Sequence, residues 1–487
     1  MKKIISLVLA MILAFSMFIP ASAADETAAA VTTAATVEYD GDPIVVVRGI
    51  DFAGLVKEDG SSAINIGAMD VLNLIFDIGK CKMFGDKSGA ADAIATFGKS
   101  IFSDLMVDQN GNSINAGVHI PKYPANGASY DLSDDSVWAD TAVGLYRSLT
   151  RKFGGENIYL YTFDWRMSPD KLADDLKAYL DNVKAETGAD KLDLAACSMG
   201  GMITTAYMGK YGYEGLDSVV FLSPALNGAD VVGSAFTGDL TIRGQDLTEF
   251  LIKKIGGNFF VDFIIKFLDF FGIIDSIADF VTDVIASYKG LIYDDFLCEV
   301  FRTTYGLWGL VPDEYYDDAV KFFFEGVEDE YAVALTEIAK VKTFVTSTEA
   351  IIDGAYAAGV KVSFVGHYGN KQLPIYSKAY LHGDGVLESA RTTFGGTFAN
   401  YGETLTDAQL AGVADEYISP DRVVNASTCR YAEYTWIVKG AKHVGCKDNS
   451  DHTEFAIWLL TQDAQPTVNS TYPRFLNCDA NENFIAF

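Results

Sequence analysis

The 487-residue chain is poor in cysteine, basic residues and long uncharged runs, and each shortage excludes a class of protein. Six cysteines in so long a chain do not make a disulfide scaffold, and no CxxC or clustered His/Cys pattern predicts a zinc site. With 37 Lys and Arg against 66 Asp and Glu, the net charge of −29 argues against nucleic acid as a partner. Beyond the amino terminus, no charge-free run of about 18 residues predicts a membrane anchor.

The amino terminus has the pattern of a secretory signal peptide. Two lysines precede an apolar run over residues 4–19, and Ala21 and Ala23 supply the small residues of a cleavage site. We therefore expect residues 1–23 to be removed on export from a bacterial cell, which places the mature protein outside that cell. Residues 24–42 are predicted to form a flexible leader. An exported chain can carry one or two disulfides, but their pairing cannot be read from the sequence.

Short apolar segments rich in β-branched or aromatic residues alternate with helical patterns along most of the chain. Their composition is typical of buried parallel strands. The six segments are residues 43–47, 157–161, 192–196, 218–222, 360–365 and 434–438. Helices are predicted over 138–153 and 171–187, and a last one over 453–460. This alternation predicts an α/β fold with a mostly parallel, doubly wound sheet.

The alternation is interrupted by residues 226–357, which have mostly helical patterns. Phenylalanines recur between residues 244 and 286, with aspartates every three to six residues, so the helices are predicted to be amphipathic rather than membrane-spanning. This insertion is predicted to be a helical cap that either buries its own core or also borders an acyl-chain site. The surrounding core then comprises residues 43–225 and 358–462, and residues 463–487 form a carboxyl-terminal tail.

Ser198 lies between a short apolar strand and a helix that opens on small residues. A serine on a sharp strand–helix turn is the nucleophile elbow of an α/β-hydrolase, in which the strained turn holds the hydroxyl clear of the sheet. Ala196 and Gly200, two positions to either side, let the strand and helix pass closely. The alternative interpretation is an ordinary strand–turn–helix with a surface serine.

A serine nucleophile needs a histidine base and an acid that orients it, and in this fold they follow the serine in the order acid, then histidine. Of five histidines, His443 follows the last predicted strand and precedes the last helix, so we favour it as the base. His452 is predicted to be a polar residue at the start of that helix, and His367 to have a structural or substrate-contacting role. Asp384, between two glycines and between Ser198 and His443 in the chain, is the predicted acid.

Backbone N–H groups are expected to hold the oxyanion. One is that of Met199, directly after the nucleophile, and the other comes from the loop after the first strand, where we favour Ile50 over Asp51. The segment from Asp108 to Asn112 resembles a calcium loop, but it lacks the glutamate at the twelfth position and is predicted to be a surface turn. No metal or cofactor is predicted.

With these residues assigned, the chain resembles the family of lecithin:cholesterol acyltransferase and lysosomal phospholipase A2, which are α/β-hydrolases. The resemblance runs from about residue 43 to about residue 460, although the helical insertion is not alignable by eye. It rests on residues 43–49 (PIVVVRG), 163–166 (FDWR), 197–201 (CSMGG), 308–312 (WGLVP), 384–386 (DGV) and 442–445 (KHVG). Ala196, Cys197 and Arg48 depart from the family's glycine, histidine and proline.

The resemblance implies a secreted lipase, phospholipase or esterase that cleaves acyl esters through Ser198, Asp384 and His443. It also implies that Trp165 and Trp308 lie near the substrate, which would be a lipid or another acyl ester, with at most transient contact with a lipid surface. Transfer of the acyl group to an alcohol is the enzymatic alternative. A non-catalytic binding protein on a hydrolase scaffold is the other, although retention of all three triad residue types argues against it.

Overall fold

The computed structural model of the protein describes residues 39–51, 54–64, 68–115, 117–121, 126–129, 142–239, 280–281, 283–284, 287–288, 290–373, 376–378 and 380–487. The predicted signal peptide, most of the predicted leader and the phenylalanines between residues 244 and 279 lie outside these residues. The first helix predicted, over 138–153, is described from residue 142 onward.

Seven parallel strands of the described ranges form the central sheet: β1 Ile44–Val47, β2 Ile158–Tyr161, β3 Leu192–Cys197, β4 Leu216–Leu222, β5 Lys361–Tyr368, β6 Thr435–Lys439 and β7 Phe475–Asn477. Their spatial order is β7-β6-β5-β4-β3-β1-β2. Chain order reverses at β1, which lies between β2 and β3, so the carboxyl ends of β1 and β3 meet at a switch point. The predicted doubly wound α/β sheet is therefore confirmed.

Helices cover both faces of this sheet, because side chains alternate between the two faces along each strand. Val45 and Val47 of β1 point into one hydrophobic cluster and Ile44 and Val46 into another. The α-helices whose full bounds lie in the described ranges are α1 Ala68–Phe84, α2 Lys87–Phe102, α3 Ala142–Phe153, α4 Pro169–Thr187, α5 Met199–Tyr211, α6 Asp230–Thr237, α7 Cys298–Phe301, α8 Tyr305–Trp308, α9 Tyr316–Phe324, α10 Ala332–Ala357, α11 Ser389–Thr392, α12 Asp407–Leu410 and α13 Asp451–Leu460. Helices α3 and α13 share one cluster with the sheet, and α4 and α5 share the other.

The described part of the insertion between β4 and β5 has an aromatic core of its own. The Phe236 ring lies 4.7 Å from the Phe323 ring and 5.0 Å from the Trp308 ring, measured between centroids. A π-helical turn, Tyr293–Leu297, packs Phe296 against Phe102 of α2. The same hydrophobic cluster continues into the face of the sheet that carries α5. The insertion is thus packed onto the sheet domain, and its described aromatic residues fill its interior.

Two segments are more ordered than the sequence predicts. The predicted tail contributes β7, which pairs with β6 from Ile437 opposite Phe475. Strands usually have about five or six residues, so a strand of three residues is too short to be recognised from its hydrophobic pattern. Within the predicted leader, the Tyr39 ring packs 4.4 Å from the Phe153 ring, measured between centroids.

None of the helices in the described ranges is long and apolar enough to cross a membrane.

Helix α5 approaches the backbone of β1 so closely that it leaves no room for a side chain at its second residue. A β-carbon at Gly200 would lie 2.4 Å from the carbonyl oxygens of Val47 and Arg48. In contrast, a β-carbon at Gly209, near the end of the same helix, would lie 2.6 Å from Cδ1 of Ile351. The first obstacle is backbone and the second is the tip of a side chain that can rotate.

We therefore expect Gly200→Ala to destabilise the protein by about 1–3 kcal/mol, because neither carbonyl can move away. Gly209→Ala is the matched control, and alanine's higher helix propensity, about 1 kcal/mol, should offset its smaller steric cost. The measurement is the thermal unfolding midpoint of both variants. Equal loss of stability in the two variants would contradict this account of the α5–β1 contact.

Candidate active site

Ser198 lies on the turn between β3 and α5 in a strained conformation. Its φ of 51° and ψ of −122° fall in a region that non-glycine residues rarely adopt. The Ser198 N–H donates to Leu222 O at 3.0 Å, and its carbonyl oxygen accepts from the N–H groups of Gly201 and Ala225, each at 3.0 Å. These three backbone bonds hold the turn, so the hydroxyl has a defined position at the carboxyl end of β3.

Three side chains predicted from the sequence come together at this edge of the sheet. His443 Nε2 lies 2.8 Å from Ser198 Oγ, and His443 Nδ1 lies 2.8 Å from Asp384 Oδ2. A carboxylate accepts hydrogen bonds only, so Nδ1 carries the hydrogen and donates it. Nε2 of the neutral ring is then free to accept the Ser198 hydrogen. The arrangement is that of a nucleophile, its base and an orienting acid.

Asp384 is held by its own loop, which follows β5. A two-residue antiparallel pairing of Asn370–Lys371 with His382–Gly383 leads into it. Asp384 Oδ1 accepts from the N–H groups of Val386 and Leu387, each at 2.8 Å. Burial would raise the pKa of Asp384, but His443 and the Leu387 N–H outweigh it and hold that pKa below its usual value. The carboxylate is therefore ionised and fixed.

The loop after β1 lies against the nucleophile. A β-carbon at Gly49 would lie 2.9 Å from Ser198 Cβ, so only glycine fits this close approach. Among the described residues, neither the Ile50 N–H nor the Met199 N–H donates a hydrogen bond to another group. Arg48, where the resembled family has proline, pairs with Asp51 at 2.8 Å, and both side chains are nearly buried. The two N–H groups therefore lie in the loop after β1 and in the first residue of α5, the two segments that adjoin Ser198.

Two further histidines of this region, His367 and His452, are buried, and only the surroundings of His452 differ from those predicted. His452 was expected to be a polar residue at the start of a helix, but it is fully buried, and Ser450 caps α13 instead by accepting from the Thr453 N–H at 3.1 Å. His452 Nε2 lies 2.9 Å from Nε2 of the equally buried His367. His367 therefore has structural contacts, and sequence reasoning had no signal that these two histidines meet.

The two tryptophans predicted to contact substrate are fully buried. The indole N–H of Trp308 donates to Arg302 O at 3.0 Å, and its ring belongs to the aromatic core of the insertion. A β-carbon at Gly306 would lie 1.9 Å from the carbonyl oxygen of Trp165, so α8 presses directly on the segment that contains Trp165. Neither indole has exposed surface in this structure, and Trp308 packs inside the insertion. Their contact with a substrate stays a prediction.

The signature residues 163–166 have a structural explanation. Arg166 is fully buried, and its guanidinium pairs with Asp164 at 2.6 Å. It also donates to the carbonyl oxygens of Leu105 and Val118, at 3.4 and 3.2 Å. A buried guanidinium that satisfies backbone carbonyls in this way fixes the segment after α2 against β2.

One group of carboxylates in the described ranges lies close enough to share a cation. Oxygens of Asp42, Asp193 and Asp217 fall within 4.8 Å of one another. Burial raises the pKa of Asp193 to about 7, and Lys361 already pairs with Asp217 at 2.5 Å. Asp193 is at the amino end of β3, at the opposite end of that strand from Ser198, so this group is separate from the candidate active site.

The segment from Asp108 to Asn112, which resembles a calcium loop in sequence, forms a turn. The Asp108 carboxylate accepts hydrogen bonds from the Asn110 and Asn112 N–H groups of this turn, each at 2.8 Å.

None of the six cysteines forms a disulfide in the structure, and all six lie in the described ranges. Cys197, next to the nucleophile, is fully buried on the opposite face of β3 from α5 and packs in the cluster that contains α3 and α13.

Comparison with known proteins supports the fold and the type of chemistry. The sequence model of a hydrolase family described as serine aminopeptidase S33 matches residues 142–255. The matched segment contains Ser198 and its elbow but ends before Asp384 and His443. No curated protein matches the chain. With the sheet order, this match identifies an α/β-hydrolase fold and supports a serine hydrolase of that type, without selecting the acyltransferase and phospholipase family that the motifs resemble.

The hydrogen bonds of Asp384 predict the effect of an Asp384→Asn change. The asparagine oxygen can keep the Val386 and Leu387 N–H groups, so its nitrogen faces His443 and donates to Nδ1. That hydrogen bond moves the ring hydrogen to Nε2, which then cannot accept the Ser198 proton. We expect turnover of an activated ester to fall on the order of 10⁴-fold with an unchanged fold.

The matched control for Asp384→Asn is Glu388→Gln. Glu388 is a buried carboxyl in the same loop whose oxygens contact Tyr376 and the Asp230 N–H rather than His443. Most of the turnover should survive this change. Full turnover in Asp384→Asn would instead assign the orienting acid to another carboxylate.

Proposed function

We propose that the protein is an exported serine esterase of the lipase or phospholipase type, which cleaves acyl esters of lipid-like substrates. The observation that carries this proposal is the unbroken hydrogen-bond chain from Ser198 through His443 to Asp384, with both bonds at 2.8 Å. The chain lies at the carboxyl edge of an α/β sheet, where such folds hold their reacting groups.

In the proposed first half-reaction, Ser198 Oγ attacks the ester carbonyl while His443 Nε2 takes the hydroxyl proton. The backbone N–H groups of Met199 and Ile50 donate to the oxyanion that forms. Collapse of the tetrahedral intermediate breaks the ester C–O bond, and His443 returns the proton to the leaving alkoxide. The products are an alcohol and an acyl group on Ser198.

In the second half-reaction, His443 takes a proton from water, whose oxygen attacks the acyl carbon. The bond between that carbon and Ser198 Oγ then breaks, His443 returns the proton to Oγ, and the acid leaves. An alcohol in place of water would give acyl transfer, which is the alternative for the same residues. Ser198 exposes 5% of its surface and His443 exposes 7%, so the reacting atoms lie below the protein surface. Whether water or an alcohol reaches the acyl group at this depth decides between hydrolysis and acyl transfer.

The lipid-like substrate is proposed from two features. One is the resemblance to the family of lecithin:cholesterol acyltransferase and lysosomal phospholipase A2. The other is the aromatic insertion between β4 and β5, which packs onto the same face of the sheet as α5. Export of the protein is proposed from the signal-peptide pattern of residues 1–23. Its contact with lipid surfaces is proposed to be transient. The excess of acidic over basic residues disfavours nucleic acid as a partner.

The first experiment separates an esterase from a non-catalytic protein with the same fold. Labelling with a fluorophosphonate should give one adduct, mapped by mass spectrometry to Ser198. Ser198→Ala should abolish labelling and ester hydrolysis with little change in the unfolding midpoint, because only one atom is removed. Ser363→Ala, a buried serine in the middle of β5, is the control and should keep both activities. Hydrolysis that survives in Ser198→Ala would contradict the proposal.

The second experiment tests the acyl site with p-nitrophenyl esters from acetate to decanoate. Each buried methylene contributes at most roughly 0.8 kcal/mol, so kcat/KM should rise by orders of magnitude with chain length until the groove is filled. An aminoacyl p-nitroanilide belongs in the same panel, because the matching family carries an aminopeptidase name.

Phe323→Ala serves as the control for this profile, because Phe323 packs in the interior of the insertion against Phe236. It should lower stability and should reduce short-chain and long-chain activities alike. A flat profile from acetate to decanoate, or preference for the anilide, would exclude the acyl-site proposal.

A further inference from the structure

The loop that carries His443 has an unusual backbone. The three residues directly after it, Val444, Gly445 and Cys446, all have positive φ values, at 62°, 65° and 63°. A β-branched residue in this region is strained, and consecutive left-handed residues are rare. Such a segment keeps its conformation only where its surroundings restrain it. The restraint therefore bears directly on the position of His443.

Two buried histidines contact this loop on both sides of His443. His367, from the end of β5, lies with Nδ1 2.8 Å from the Lys442 carbonyl oxygen. His452, in the first turn of α13, accepts at Nδ1 from the Cys446 N–H at 3.2 Å. The two rings meet through their Nε2 atoms at 2.9 Å. The pair thus spans the loop from the residue before His443 to the third residue after it.

The directions of these hydrogen bonds agree with one another. Cys446 donates to His452 Nδ1, so the hydrogen of the neutral His452 ring is on Nε2. The carbonyl of Lys442 accepts only, so the hydrogen of His367 is on Nδ1 and its Nε2 is an acceptor. His452 Nε2–H therefore donates to His367 Nε2. One hydrogen on each ring satisfies every contact, and a second on either ring would place two N–H groups face to face.

Two further contacts hold His367, one at its ring and one at its backbone. Ser223 Oγ lies 3.0 Å from His367 Nδ1, and Ser389 Oγ donates to the His367 carbonyl oxygen at 2.6 Å. A β-carbon at Gly445 would lie 2.9 Å from Cε1 of His452 and 3.3 Å from Cε1 of His367. The loop backbone therefore rests directly on both imidazoles, and glycine at 445 is required by their position as well as by its φ.

We propose that His367 and His452 are positioning residues, a neutral imidazole pair that clamps residues 442–446 so that His443 Nε2 reaches Ser198. This inference rests on the proposed serine esterase and adds a pair of positioning histidines to its single catalytic histidine, His443. Neither ring touches the reacting atoms. They act through the backbone on either side of the base, and a misplacement of about 1 Å at a catalytic group can cost about 10²-fold in rate.

The surroundings of the pair favour the neutral rings. Burial lowers the pKa of His367 to about 4, with His443 acting in the same direction and Asp384 opposing it. Burial and the facing His367 hold the pKa of His452 well below its usual value. The pair can therefore serve as a hydrogen-bonded spacer at neutral pH without charge.

The test compares polar and apolar replacements at each position. Asparagine can reproduce the Nδ1 contact of each histidine, as a donor to Lys442 in His367→Asn and as an acceptor from Cys446 in His452→Asn. Leucine removes that contact. We expect His367→Leu and His452→Leu to lower kcat by about 10-fold to 100-fold with KM changed by less than about twofold. Asparagine should recover about fivefold to tenfold of the lost kcat.

Ser148→Ala is the matched control, because Ser148 holds the far end of the same loop. Its hydroxyl donates to Asp448 at 2.9 Å and accepts from the Asn449 N–H at 3.2 Å. This variant should lose stability but little kcat. The proposal is overturned if the leucine variants keep the wild-type kcat, or if asparagine, leucine and Ser148→Ala all lower kcat in proportion to lost stability. An inactive wild type would instead refute the esterase itself.

A measurement on the unmodified protein covers the case in which the variants fail to fold. Nitrogen-15 NMR of histidine-labelled wild type reports the tautomer of each ring at pH 7. We expect the His367 ring to carry its hydrogen on Nδ1 only and the His452 ring to carry its hydrogen on Nε2 only. A positive charge on either buried ring, or the same tautomer in both rings, would contradict the proposal that His367 and His452 form a neutral hydrogen-bonded pair.

Discussion

The contact between the start of helix α5 and the backbone of β1 is the constraint on which the candidate site depends. It requires glycine at position 200, where a side chain would strike two carbonyl oxygens, and glycine at position 49, where it would strike Ser198. With both side chains absent, the turn at Ser198 and the loop after β1 lie side by side. The N–H groups of Met199 and Ile50, the proposed oxyanion donors, belong to these two segments, and the strained Ser198 turn is stabilised by backbone hydrogen bonds with Leu222, Gly201 and Ala225.

Much of the fold followed from local sequence. The six apolar segments were predicted as strands because buried parallel strands are nearly continuous in hydrophobicity. The sheet order then places the ends of β3, β5 and β6 along one edge, and the segments that follow them carry Ser198, Asp384 and His443. Glycines on both sides of Asp384 and small residues around Ser198 are local signals, so these positions could be predicted without knowledge of the contacts between them.

The remainder depends on contacts that no local pattern encodes. His367 and His452 are far apart in sequence, and each alone resembles an ordinary core or helix-start histidine. Trp165 and Trp308 were assigned by resemblance, but tertiary packing buries both because the insertion presses α8 onto the residues after β2. Strand β7 was missed because its three residues become a strand only by pairing with β6. Burial and long-range pairing, rather than residue type, decided each of these cases.

The insertion between β4 and β5 has a consequence for how the protein assembles. The strands on its amino-terminal side form one half of the sheet, which carries Ser198, and those on its carboxyl-terminal side carry Asp384 and His443. Within the sheet, the two halves are joined by the pairing of β4 with β5, from Ser218 opposite Lys361. During synthesis the edge of β4 stays unpaired until the whole insertion has been made, and an unpaired strand edge promotes aggregation. Nucleophile and base come together only after this long-range pairing and the pairing of β6 with β5, so a working triad reports that the two halves of the chain have closed into one sheet.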